Sequence, residues 1–261
     1  MSPPTKPKAQ AAPAPAPAHP PEDGLDPAFL EKVAPVFRAL RAYSRLQVDG
    51  LANVPAGPAL LACNHTGWLG LDYAFTALSV YDGLGRMPRG MAHEAWFKMP
   101  AAGSFARRVG LFKVTKDAMR DQLREGHLVM IFPEGEKGAF RPESGYTLDP
   151  FARGFVRVAM ATQAPVVPVA ILGGEEANPV GRRIESYEEL LNLKGGLPIP
   201  KNILPKPVKW RIRFLPPLPF SGCSEADAVD HDRVHALAEK VRSLVQAELR
   251  TMKVERGHPY L

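Results

Sequence analysis

At 261 residues the chain is long enough for one large domain with its own core, and 45% hydrophobic and 23% charged residues are ordinary for a globular protein. A net charge of +6 favours an anionic partner: phosphate headgroups, a nucleotide-bearing thioester or nucleic acid. Cys63 and Cys223 lie far apart, which excludes a disulfide framework, and no apolar run of about 18 residues is available to span a membrane, so any membrane contact is expected to be peripheral.

No apolar h-region opens the chain, so no secretory signal is expected. Residues 1–24 are rich in Pro and Ala, cannot bury a core, and are expected to form a disordered tail ahead of a folded unit over 25–255. Asp26-Pro27 pairs a helix cap with Pro at the first helical position, predicting a helix over 27–43. Phe29, Leu30, Val33, Phe37 and Leu40 form its apolar stripe, with Arg38 and Arg41 beside it. Such a basic amphipathic helix either packs on its own domain or lies in a membrane interface.

Leu46-Gln47-Val48 reads as a short strand. Ala59 to Cys63 has the length and composition of a buried strand, and it stops at Asn64-His65. A glycine-containing loop follows, and from Leu71 the pattern turns helical, with Asp72 in the first turn. Residues 86–110 are mixed in character. Leu111 to Val114 is a second strand, Lys116 to Glu125 a helix capped by Gly126, and His127 to Phe132 a buried third strand ended by Pro133-Glu134-Gly135. Residues 151–162 read as a helix and 165–172 as a fourth strand. The Gly- and Pro-rich stretch 195–209 is expected to be a structured loop, 209–214 a strand, and 226–254 a final helix. Strands alternating with helices predict an α/β fold: a single domain with a largely parallel mixed sheet flanked by helices.

In an open α/β sheet the crevice beyond the strand C-termini binds ligands, and three strand ends carry candidate groups here. The first holds His65 and Asp72, the second runs from Gly110 through Lys113 to Lys116, and the third is Phe132 to Gly138. A carboxylate beside a histidine can fix its tautomer and leave the other ring nitrogen as a general base. The plainer reading is a surface histidine and a helix-start aspartate that complements the dipole. His231 and His235 lie four apart on the last helix without a third ligand, so no metal site is expected. The basic residues form no stripe interleaved with aromatics, there is no Walker loop, and nucleic-acid binding is not expected.

With these blocks in place, the sequence resembles the glycerol-phosphate acyltransferase (PlsC-like) superfamily of lysophospholipid acyltransferases. Its four motifs look like Asn64-His65 to Asp72, Gly110 to Lys116, Phe132-Pro133-Glu134-Gly135 to Gly138, and Val167-Pro168-Val169, in order over about residues 45–220. The resemblance implies that His65, oriented by Asp72, deprotonates an acceptor hydroxyl that attacks an acyl-coenzyme A or acyl-carrier-protein thioester, with no other cofactor. No Gly-x-Ser-x-Gly elbow is present to supply a covalent acyl-enzyme. It implies an acceptor phosphate held near Lys116, Lys137, Lys113 and Arg153, beside Glu134 and Gly135. The best-matching acceptor is 1-acyl-sn-glycerol-3-phosphate, or otherwise another lysophospholipid or glycerolipid. The expected setting is the inner, cytoplasmic face of an anionic membrane.

Three features depart from the family pattern. Asp72 follows His65 by seven positions, where the family has five and this chain has Gly70; Glu136 stands where the family has Thr; and both motif arginines are lysines, Lys116 and Lys137. A lysine holds phosphate as a point charge without the bidentate fork, and Glu136 should weaken phosphate binding. The longer spacing points to a branch nearer the bacterial mono- and diacylglycerol acyltransferase-like proteins. The alternative is a non-catalytic lipid-binding or scaffold protein that keeps the fold.

Overall fold

Ala59–Cys63 forms a strand in which all five residues are buried, because neighbours pair with both of its edges and helices cover both of its faces. The computed structural model describes residues 24–67, 69–141, 145–185, 196–223 and 227–260. Nearly all of the expected Pro/Ala-rich tail, residues 1–23, lies outside them.

In chain order the elements are α1 (Pro27–Tyr43), β1 (Gln47–Asp49), β2 (Ala59–Cys63), α2 (Leu71–Leu84), β3 (Arg89–Ala92), α3 (Glu94–Lys98), α4 (Pro100–Arg108) and β4 (Leu111–Lys113). There follow α5 (Lys116–Arg124), β5 (Leu128–Ile131), α6 (Glu136–Ala139), α7 (Gly154–Thr162), β6 (Val166–Leu172), α8 (Gly174–Ala177), β7 (Val180–Ile184), β8 (Leu197–Pro200), β9 (Arg211–Phe214) and α9 (His231–Arg256). Seven strands form one sheet in the order β1-β9-β6-β2-β5-β3-β4. Every pairing is parallel except β6 with β9, so the expected α/β fold with a largely parallel mixed sheet is what the chain adopts.

Side-chain alternation divides the core by the two faces of the sheet. Leu60, Ala62, Val129 and Ile131 pack with α5, α7 and α9, burying Met119, Phe155, Val241 and Val245. Leu61, Cys63, Leu128 and Met130 point to the opposite face, against Phe75 of α2 and Trp210. Phe75 and Trp210 meet edge to face with ring centroids 4.9 Å apart. Pro168 is tolerated in β6 because the ladder to β9 begins one residue later, at Val169.

Local chemistry sets the element ends. The Asp26 side chain accepts from Phe29 N at 2.9 Å, which starts α1 at Pro27 as the cap pattern predicted. The last helix begins at His231, later than the expected 226, because Asp230 caps it by accepting from Asp232 N and Arg233 N at 3.0 Å each; residues 224–226 lie outside the described set. Helix α7 begins at Gly154, three residues later than expected, because Ala152 N donates to Pro133 O at 2.8 Å and the segment is drawn into the third motif.

Two strands differ from the sequence expectation. β3 lies in the mixed 86–110 stretch, between β5 and β4. β8 lies within the stretch expected to be loop and pairs antiparallel with β7 in a two-stranded sheet. Prolines at both 198 and 200 remove donors, which an edge strand tolerates and a loop prediction cannot distinguish.

Candidate active site

Parallel pairing brings the C-terminal ends of β2, β3, β4, β5 and β6 to one side of the sheet, and the three candidate strand ends meet there. After β2, Asn64 continues the pairing with its side chain. Its Nδ2 donates to Ile171 O at 2.9 Å, and its Oδ1 accepts from Ile171 N at 2.7 Å, clamping the end of β2 to β6.

His65 follows, and its Nδ1 lies 2.5 Å from Asp72 Oδ2. The long spacing is closed by Gly70, whose φ of 73° turns the chain into α2 so that the first helical turn faces back to β2. The Asp72 side chain is 1% exposed, and it also accepts from Thr66 N at 3.0 Å and Tyr73 N at 2.8 Å. Three donors therefore hold this carboxylate. With Nδ1–H donated to Asp72, the lone pair of His65 is on Nε2. The imidazole stacks on Phe132, with centroids 4.3 Å apart and planes at 26°, and its side chain is 18% exposed.

The third motif supports His65 from beneath. Glu134 Oε2 accepts from His65 N at 3.1 Å, and Glu134 Oε1 accepts from Asp149 N at 3.0 Å and from the Arg141 guanidinium. The Glu134 side chain is wholly buried and does not line the cavity described below. Burial pushes its carboxyl above the ordinary value, against the downward pull of Arg141 and the two backbone N–H groups. Gly138 is packed between these parts. A Cβ there would sit 2.7 Å from Glu134 Cβ and 3.0 Å from His65 Cβ.

His65 and Asp72 open onto a cavity of about 1150 Å³. Its walls are mostly apolar, with Val33 and Phe37 from α1, Leu78 from α2, Trp96 from α3, Phe105 from α4 and Phe155 from α7. The apolar stripe of α1 thus packs on its own domain and encloses this space. Of the expected binding residues, Gly135 and Lys116 line the cavity. Lys113 does not: its Nζ lies 3.2 Å from Glu94 Oε2, and it is mostly exposed. Lys137 and Arg153 are exposed and also lie outside the lining.

Three residues of the neighbourhood were not among the expected site residues. Arg141 lies three positions beyond the end of the third motif, and nothing in the local pattern ties it to Glu134. Lys98 lines the cavity from the end of α3, and its Nζ lies 3.2 Å from Glu94 Oε1. His93 caps α3: its Nδ1 accepts from Ala95 N at 3.2 Å, and its Nε2 lies 3.0 Å from Glu136 Oε1. The cue for His93 was a polar residue just before Glu94-Ala95, at the start of a short helical pattern.

Comparison with known proteins bears on this arrangement. A family model described as Acyltransferase matches residues 45–172. An uncharacterized protein of Mycobacterium tuberculosis is 35% identical over 244 residues, an alignment spanning 87% of this chain and 68% of that protein. A human protein named "DGAT1/2-independent enzyme synthesizing storage lipids" is 26% identical over 205 residues, covering 77% of this chain and 60% of its own length. Among solved structures, the 1-acyl-sn-glycerophosphate (LPA) acyltransferase PlsC of Thermotoga maritima superposes with a TM-score of 0.56 at 19% identity, over 85% of this chain and 82% of that one. At that identity the likeness establishes the fold.

Proposed function

The chain belongs to the acyltransferase (PlsC-like) family, and from that premise we propose that it moves a fatty acyl group from acyl-coenzyme A or acyl-carrier protein to a hydroxyl of a lysophospholipid or other glycerolipid. His65 is the general base and Asp72 the carboxylate that orients it. The observation that carries this reading is the 2.5 Å contact between His65 Nδ1 and Asp72 Oδ2 at the mouth of an apolar cavity. The non-catalytic alternative drew its support from the displaced aspartate and from the acidic Glu136; the displacement does not separate His65 from Asp72.

In the proposed reaction, His65 Nε2 takes the proton of the acceptor hydroxyl as its oxygen attacks the thioester carbonyl. Asp72 stabilises the imidazolium that forms. When the tetrahedral intermediate collapses, the C–S bond breaks, and the leaving thiolate takes the proton back from Nε2. The net change is one ester made and one thioester broken, with no acyl-enzyme. The apolar walls suit a fatty acyl chain, which gains about 0.8 kcal/mol for each buried methylene.

Peripheral membrane contact is part of the proposal. Among the described residues no helix is long and apolar enough to cross a membrane. Val36 of α1, Met99 and Phe105 are substantially exposed, and Lys98, Arg107 and Lys113 lie near the latter two in the chain. Apolar and basic groups so combined match an anionic lipid surface. The mechanism is tested by His65→Ala, which should lower kcat by at least about 10³-fold while thermal unfolding stays unchanged. A folded variant with most of its turnover would end the general-base assignment.

A further inference from the structure

Resting on the acyl-transfer reading above, we propose that the acceptor is a lipid with an uncharged hydroxyl head, of the monoacylglycerol class, and that Glu136, held by His93, excludes phosphate monoesters from the cavity. Glu136 opens α6 and lines the same cavity as His65 and Asp72. Lys137, the next residue, is exposed and lies outside it. At this corner of the wall the chain therefore presents a carboxylate to the acceptor and turns the cation away.

His93 fixes that carboxylate without cancelling its charge. Because His93 Nδ1 accepts from Ala95 N, the ring proton resides on Nε2, and Nε2–H donates to Glu136 Oε1 at 3.0 Å. An imidazole used in this way on both nitrogens is neutral. The cationic side of the cavity is also depleted. Lys98 is paired with Glu94, which it shares with Lys113 outside the lining, and Arg153 is exposed beyond the wall. Lys116 thus faces the acceptor together with a carboxylate, and among the described residues no arginine fork lines the cavity.

The two acceptor classes meet this wall differently. A phosphate monoester brings between one and two negative charges and offers mainly acceptor oxygens, so against Glu136 it meets both charge repulsion and a missing donor. The free hydroxyls of a glycerol head can instead donate to Glu136 while another approaches His65 Nε2. Selectivity arises here from a repulsive element built against the competitor.

The test separates binding from turnover. Short-chain, monomeric 1-acylglycerol and 1-acylglycerol-3-phosphate are titrated at fixed salt into the full-length His65→Ala variant, which binds without consuming them. The neutral lipid should bind at least about tenfold tighter. Adding Glu136→Gln should shrink that preference about tenfold, through tighter binding of the phosphate lipid. His93→Asn, which keeps a cap acceptor for α3 but shortens the reach to Glu136, should shrink it in the same direction should Glu136→Gln not fold. Equal or tighter binding of the phosphate lipid, or a ratio that neither variant changes, overturns the proposal. Transfer of labelled acyl groups by the native protein is measured in parallel. Absence of transfer to both lipids with the binding preference intact overturns the acyl-transfer reading instead.

Discussion

Glu134 shows how a buried carboxylate can serve a histidine that it never touches through its ring. It accepts from the His65 backbone, and Arg141 and Asp149 N anchor it from the other side. Because burial raises its pKa, the neutral form is relatively favoured in the folded chain. The stability it contributes is full below the ordinary glutamate value of 4.5 and is lost as pH rises through the raised folded value. Melting curves from pH 4 to 8 should show the native protein losing stability relative to Glu134→Gln as pH increases; parallel curves would refute the assignment. The residues at this scale were legible unevenly. His65 and Phe132 to Gly135 stood out because each ends an apolar run, and Asp72 because it opens the next helix. The outward placement of Lys137 was hidden, since a helix of four residues, Glu136–Ala139, has no periodicity from which to read a face.

The helices form the cavity wall, and its depth should set acyl-chain preference. Ala74 on α2 lines it, half-buried, one turn before Leu78. Ala74→Phe would fill part of the lumen, and the ratio of kcat/KM for long over short acyl thioesters should fall about tenfold. A ratio within twofold of native would argue that the chain lies elsewhere. Most elements could be read from apolar runs and caps, and β2, α1 and β6 fell within a residue of expectation. β3 escaped because it begins Arg89-Gly90 instead of with an apolar run. Gly90 is required there, since a Cβ would lie 2.2 Å from the Tyr73 ring. That constraint comes from tertiary packing, which no local pattern records.

Across the whole molecule, two packed faces make the sheet a rigid floor, and a surplus of positive charge acts over its surroundings. Co-sedimentation with anionic vesicles should be strong near 0.01 M salt and fall as the Debye length shrinks from about 30 Å to about 8 Å at physiological ionic strength. Equal recovery with neutral vesicles would remove the electrostatic part of the membrane proposal. The Asn64 clamp has a kinetic corollary. It spans the β2–β6 seam immediately before His65, so the sheet there should be the last part to breathe. On the proposed reading, lipid should then enter past the five-residue α3 and its neighbour α4, where Trp96, Met99 and Phe105 are already partly in solvent. In deuterium exchange, peptides over 94–108 should label well before those over 59–64 and 166–172, and a bound long-chain acyl thioester should slow the former alone. Uniform labelling across all three segments would mean that the floor opens too.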